Sequence, residues 1–285
     1  MFKKSKYLGK AFLGLMTSST LLLASCSNIP LMDKEKSQPN NKNENAQQVP
    51  TDEANHQQKP DDTTEKWAIK KSQLNQIQVT NGIKYIQNPN NIAVLVNKEF
   101  SLPVNYRAKD LIKPDVKFSF DEKNEKQLMR KEAAEALHNM FESAKKEGVE
   151  ITAVSGFRSY QRQKQVFTAE VAASGAEHAQ QAVAEPGKSE HQTGLTMDIS
   201  SAENQFQLNE DFEKTAAGKW LAKNSAEYGF ILRYPKGKEK ATGYMYEPWH
   251  FRYVGVDIAK DINKRGLTLE EYVQLARESY EKENN

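Results

Sequence analysis

Two histidines and two carboxylates in this chain have the residue types of a catalytic metal site. His191 lies in a glycine-containing loop, Asp198 follows on an alternating segment, and Glu247 and His250 flank a Pro-Trp pair further along. Two imidazoles and one carboxylate suit zinc, because three protein ligands leave the fourth position open for a water molecule. The remaining carboxylate, Glu247 in this interpretation, can take the proton of a water that the metal acidifies.

Spacing alone leaves this interpretation open. A polar-face aspartate such as Asp198 is more often hydrogen-bonded or solvated than metal-bound, and a single histidine on a strand such as His250 is more often a satisfied core residue. Residues with the spacing of Glu247 and His250 face opposite sides of a regular strand, so they converge only if Pro248 marks a bend.

Alternating and helical apolar patterns predict the elements that would position these residues. Leu195, Met197 and Ile199 alternate with the polar residues Thr196, Asp198 and Ser200, which indicates a strand. A second strand is predicted over 92–96. Because helices and strands are mixed without a regular β-α-β order, the expected fold class is α+β, with an antiparallel sheet and flanking helices.

Glycines and capping residues predict where the helices begin and end. A long amphipathic helix that includes Leu128 should stop before Gly148. A second helix should begin after the N-cap Ser159 and close at Gly175. Near the C-terminus, Thr268 and the glutamate three residues later form a predicted capping box.

Composition divides the chain into four segments. Residues 1–25 combine lysines with a short apolar stretch, as an export signal does, and residues 26–66 hold too few large apolar side chains to fold, as a tether does. Residues 67–91 carry Ile77, Val79, Ile83 and other short-strand signals and form an N-terminal extension. Residues 92–285 form the expected catalytic domain.

Cys26, the only cysteine, follows Leu23-Ala24-Ser25 in an order that resembles the bacterial lipobox. It is therefore the predicted lipidation site, and a multiply acylated cysteine would hold the protein stably on a membrane. The expected location is the extracellular face of the bacterial cytoplasmic membrane. A formal net charge of +2 gives no reason to expect a nucleic-acid partner, and a monomer is expected.

Three ordered blocks resemble a known family. The blocks are Ser-Gly-Phe-Arg-Ser-Tyr at 155–160, Ser-x-His-x-x-Gly-x-Thr-x-Asp at 189–198, and Glu-Pro-Trp-His-Phe-Arg-Tyr-Val-Gly at 247–255. Together they are similar to the VanY-type D,D- and L,D-carboxypeptidases of the LAS zinc peptidases (peptidase family M15, with its LdcB- and DacB-like lipoproteins). The resemblance covers roughly Ile92 to Gly266. It implies the hedgehog-like LAS core and a bound Zn²⁺.

The resemblance also implies roles for individual residues. His191, Asp198 and His250 would bind zinc, Glu247 would be the catalytic base, and Arg158 would stabilise the oxyanion. Three further residues would bind substrate, namely Gln163, Ser189 and Tyr234. This chain departs from the family at Thr196, where alanine is usual, and the added hydroxyl could alter the surroundings of the metal ligands.

Family resemblance implies removal of the C-terminal D-alanine from peptidoglycan stem peptides. L,D cleavage of tetrapeptides is favoured here, because the 189–194 block and the surroundings of Tyr234 look closest to that subgroup. The alternatives are a D,D-carboxypeptidase acting on pentapeptides, a peptidoglycan endopeptidase, and a catalytically silent wall-binding lipoprotein. An endopeptidase would leave the cleft open at both ends, whereas a carboxypeptidase must close it around a terminal carboxylate.

Overall fold

The computed structural model describes residues 66–283, and Cys26, the export signal and most of the tether lie outside that range. The strands of the described range are Ile77–Thr80 (β1), Ile83–Ile86 (β2), Phe100–Ser101 (β3), Leu111–Ile112 (β4), Met129–Arg130 (β5), Thr152–Ser155 (β6), Thr196–Ser200 (β7), Phe230–Leu232 (β8) and His250–Tyr253 (β9). Its α-helices are Lys131–Lys146 (α1), Tyr160–Ser174 (α2), Ala176–Ala182 (α3), Ala216–Asn224 (α4), Glu239–Thr242 (α5), Val256–Arg265 (α6) and Leu269–Lys282 (α7).

A four-stranded antiparallel sheet in the order β6-β7-β9-β8 forms the centre of the fold. The predicted α+β class with an antiparallel sheet is therefore confirmed. Strand β7 alternates as expected, but both of its faces are buried, so its polar residues are enclosed in the protein. Burial makes each of those polar groups depend on a partner within the protein, since water cannot reach it.

Helix α1 packs on the central sheet through Leu137, Met140 and Phe141, which belong to the main hydrophobic core. It begins at Lys131, so the prediction that Leu128 is helical was wrong. Leu128 instead caps a short 3-10 turn over Glu125–Gln127. The predicted helix ends are otherwise close to those observed, with α2 capped by Ser159 and Gly175, and α7 opened by a capping box.

The segment at 67–91 packs onto the last two helices. Trp67 meets the ring of Tyr272 edge to face at 5.1 Å, and Ile69 and Leu74 join the same apolar cluster with α6 and α7. Strands β1 and β2 follow as a hairpin whose turn places Asn81 at φ 50°. This segment therefore belongs to the same compact unit as the rest of residues 66–283.

The strand predicted over 92–96 was wrong. The segment is buried, but its backbone bonds to side chains instead of a neighbouring strand. The guanidinium Nη2 of Arg252 donates to the carbonyl oxygens of Ile92 (2.9 Å) and Val94 (2.7 Å), and the Asn75 side chain accepts from the Leu95 amide. Within residues 66–283, no helix has the length and apolar character needed to span a membrane.

Candidate metal centre

Strand pairing brings Asp198 and His250 together. The two residues are direct partners in the antiparallel register of β7 and β9, so their side chains project from the same face of the sheet. Asp198 Oδ1 lies 3.3 Å from His250 Nδ1. Two potential metal ligands are thus placed side by side by the pairing of two strands of the central sheet.

His191 lies in a 3-10 turn over Glu190–Thr193, which places its imidazole next to Asp198. Its Nε2 lies 3.4 Å from Asp198 Oδ2, while its Nδ1 is 2.7 Å from the carbonyl oxygen of Gly156. That carbonyl can only accept a hydrogen bond, so Nδ1 carries the proton of the neutral ring and Nε2, the nitrogen that faces Asp198, keeps its lone pair. Gly194 ends the turn at φ 71°, where a Cβ would lie 2.6 Å from Leu111.

The geometry and chemistry of this cluster fit a zinc ion. One atom from each of His191, Asp198 and His250 lies within 4.8 Å of the others, and all three residues are buried. Ligand atoms about 2.0–2.2 Å from a tetrahedral zinc are separated by roughly 3.4 Å, close to the two distances above. Asp198 Oδ1 also has no hydrogen-bond partner among the described residues, as expected of an oxygen that serves a cation.

Glu247 reaches the cluster through a turn. The amide of His250 donates to the carbonyl of Glu247 (3.2 Å), and β9 begins only at His250, so the bend expected at Pro248 is present. Glu247 Oε2 lies 3.3 Å from His250 Nδ1, and the side chain is 15% exposed. Burial raises the pKa of Glu247, and His250 and Arg158 oppose that rise.

The charge balance at the cluster calls for a cation. Burial acts to lower the pKa of His250, but Asp198, Glu190 and Glu247 surround its imidazole and hold that pKa well above its usual value. Burial lowers the pKa of His191 to about 3, so this imidazole stays neutral and can act as a ligand. Without a metal, the carboxylates are compensated by a second proton on His250. A bound Zn²⁺ would supply this positive charge instead and leave His250 neutral.

Arg158 lies in the short segment between β6 and α2, beside the three candidate metal ligands. Its backbone amide donates to the carbonyl of His191 (3.1 Å), and its guanidinium donates to Gln163 Oε1 (3.0 Å) and Ser155 Oγ (3.4 Å). Burial lowers the pKa of Arg158, and the carboxylates of Asp198 and Glu247 oppose that effect. A positively charged fork is therefore held close to the metal ligands before any substrate arrives.

The three predicted substrate-binding residues lie in different places. Ser189 and Tyr234 line the cleft, and the ring of Tyr234 lies 4.7 Å from that of His250. Gln163 does not line it. Its side chain is fully buried and donates to the carbonyl of Ala184 (2.6 Å) while holding Arg158. In this structure Gln163 therefore contacts the proposed oxyanion residue and not the open space.

The cleft above the cluster has a volume of about 220 Å³. Arg158, Glu247 and the three metal-ligating candidates line it together with Tyr244 and Trp249. The sequence did not single out Tyr244, because an isolated tyrosine carries no positional signal. Its ring lies 5.0 Å from that of Tyr234, with the two planes tilted by 52°. Glu190 was also missed, although it stands inside the 189–198 block.

Comparison with known proteins supports a single family. Residues 126–256 match the VanY family, described as D-alanyl-D-alanine carboxypeptidase. A protein of Bacillus subtilis (strain 168) named as a carboxypeptidase, YodJ, is 56% identical over 211 residues, which are 74% of this chain and 77% of that protein.

Two solved structures show the same fold. The LD-carboxypeptidase LdcB is 56% identical and superposes with a TM-score of 0.71, covering 73% of this chain and 98% of its own. The vancomycin-resistance D,D-pentapeptidase VanY, solved in complex with Zn(II), is 32% identical with a TM-score of 0.53, covering 64% of this chain and 98% of its own.

Proposed function

The chain belongs to the VanY family of zinc carboxypeptidases that act on peptidoglycan peptides, and from that premise we propose that it is an L,D-carboxypeptidase. It would remove the terminal D-alanine from tetrapeptide stems, cutting the bond between an L-configured centre and D-alanine. The carrying observation is its 56% identity to the LD-carboxypeptidase LdcB across 98% of that protein, against 32% to the D,D-pentapeptidase VanY.

His191 Nε2, Asp198 and His250 Nδ1 would hold the zinc, which when bound acidifies water and polarises the scissile carbonyl. Support comes from their convergence within 4.8 Å and from the donor set, which suits this metal. Glu247 would take a proton from the attacking water and return it to the departing amine of D-alanine. Its position supports this role, because Glu247 Oε2 lies 3.3 Å from His250 Nδ1 and the carboxylate therefore borders the proposed zinc site.

Arg158 would stabilise the negative charge that develops on the carbonyl oxygen. Gln163 and Ser155 hold its guanidinium in advance, so little reorganisation is needed as that charge forms. Tyr234 and Tyr244 would form an aromatic wall of the cleft. Burial raises the pKa of both phenols, so each remains a neutral hydroxyl at physiological pH.

Purified muropeptides test the bond preference. We expect mass spectrometry to show loss of one alanine from a disaccharide tetrapeptide, with the matched pentapeptide unchanged under the same conditions. An LdcB-like cleft that accepts an L-configured residue before the scissile bond gives this result. Loss of alanine from the pentapeptide alone would contradict the proposal and support the D,D alternative. Cleavage within a cross-linked dimer would instead identify an endopeptidase.

We also propose that the protein is anchored to the extracellular face of the cytoplasmic membrane through lipid on Cys26. The supporting observation is the sequence Leu23-Ala24-Ser25-Cys26 after a lysine-flanked apolar stretch. In a bacterial host, the wild-type chain is expected to enter the detergent phase on phase separation, and Cys26→Ala to enter the aqueous phase. Equal partitioning of both proteins would contradict lipidation. Ser27→Ala, a neighbouring change outside the modified position, is the matched control.

A further inference from the structure

A buried charge network lies directly behind His250. Glu190 Oε1 accepts from Arg233 Nε (2.8 Å) and from Arg252 Nη1 (2.6 Å). The other end of Arg233 forms a two-bond pair with Glu270 on α7 (2.8 and 2.5 Å). Side chains of both arginines and of Glu190 are 0% exposed, and two negative charges balance two positive ones.

One oxygen of this network remains without a partner. Glu190 Oε2 has no hydrogen bond within the described residues, and neither has His250 Nε2, the atom that faces it at 3.5 Å. Each atom is buried, so water does not compete for it, and a buried polar atom without a partner is costly. Glu190 is ion-paired with Arg233 and Arg252 and so offers an acceptor oxygen, which a proton on His250 Nε2 complements.

The position of that proton determines which nitrogen of His250 keeps a lone pair that can bind a metal. Since a neutral imidazole carries one proton, its presence on Nε2 leaves the lone pair on Nδ1, which faces Asp198 and Glu247. We propose that Glu190 is a positioning residue that accepts the Nε2 proton of His250 and thereby presents Nδ1 to the zinc. Arg233 and Arg252 hold the Glu190 carboxylate in place for this purpose through hydrogen-bonded ion pairs of 2.8 and 2.6 Å.

Glu190→Gln tests the inference, which rests on the proposed function because that function makes His250 a ligand. In the full-length protein we expect the zinc dissociation constant, measured by competition with a chromogenic chelator, to rise about 10- to 100-fold. The ¹⁵N signals of histidine-labelled, zinc-loaded protein should show a changed Nε2 environment at His250, while those of His191 stay unchanged. Glu190→Asp keeps the negative charge that the arginines require, but its shorter side chain moves the carboxylate away from His250 Nε2. This variant should fold and should bind zinc more weakly than the wild type.

Glu270→Gln is the matched control, because it removes a carboxylate from the same network without facing His250. Zinc affinity and the His250 signals should then remain as in the wild type, even if the melting temperature falls. Native zinc affinity and native His250 signals in both Glu190 variants would overturn the inference. His250→Ala distinguishes failure of the proposed ligand set from failure of the role of Glu190. Native zinc affinity in His250→Ala would contradict the ligand set. Loss of zinc from His250→Ala, with native affinity in the Glu190 variants, would contradict only the role of Glu190.

Discussion

Replacing Glu247 by glutamine is expected to lower kcat by about 10²- to 10⁴-fold while the protein keeps its zinc. The amide preserves the size and position of the side chain but cannot accept the proton of the attacking water. Zinc should stay, because Glu247 is not one of the three proposed ligands, whose atoms converge without it. Steady-state kinetics on the preferred muropeptide and metal analysis of the same sample check both parts.

The control for this change is Glu239→Gln, the same substitution at an exposed position on α5. Its kcat and zinc content should equal those of the wild type. Near-native turnover of Glu247→Gln would remove this residue from the role of base. Loss of zinc from Glu247→Gln would show instead that its carboxylate binds the metal.

The second large effect is expected at Arg158. Arg158→Ala should reduce kcat about 10²- to 10³-fold, because the transition state loses a preorganised cationic donor. KM should change much less if the guanidinium acts mainly on charge that develops during the reaction. Zinc content should be unchanged, since the contact between Arg158 and His191 is made by the backbone amide, which the substitution retains.

Arg162→Ala provides the comparison for Arg158, because it removes an exposed arginine from the first turn of α2, the helix that begins just after Arg158. Its kinetics should match those of the wild type. A kcat for Arg158→Ala similar to that of Arg162→Ala would exclude Arg158 from transition-state stabilisation. A rise in KM alone would assign it to substrate binding.

The sequence predicts the members of the cluster better than it predicts their surroundings. Asp198 and His250 can be selected because their residue types suit zinc, but their pairing depends on which strands are neighbours, which no local pattern reveals. Glu190 cannot be selected from its residue type, and the reason is its burial. A glutamate between a serine and a histidine is normally expected at the surface. Its burial depends on Arg233, which follows β8, and on Arg252 in β9, both distant in the sequence.

Local signals predict helix ends well, since capping depends on neighbouring residues such as Ser159 and Thr268. They fail over 92–96, where an apolar run has the composition of a strand but bonds to Arg252 and Asn75. The presence of threonine at position 196, where alanine is usual in the family, is not explained by local signals either. Its side chain is fully buried, and its hydroxyl has no hydrogen-bond partner among the described residues, so nothing in the structure explains the departure from alanine.

Helix α7 and the run at 92–96 determine how far the chain can be shortened for recombinant work. A fragment trimmed to the family-matching stretch at 126–256 would lack Glu270 and the carbonyl groups of Ile92 and Val94. Arg233 and Arg252 would then keep only Glu190 as a counter-ion, in a place that water enters poorly. The shortest useful expression boundary is consequently set by Glu270 and by the carbonyl groups of Ile92 and Val94, which lie outside the three sequence blocks at 155–160, 189–198 and 247–255.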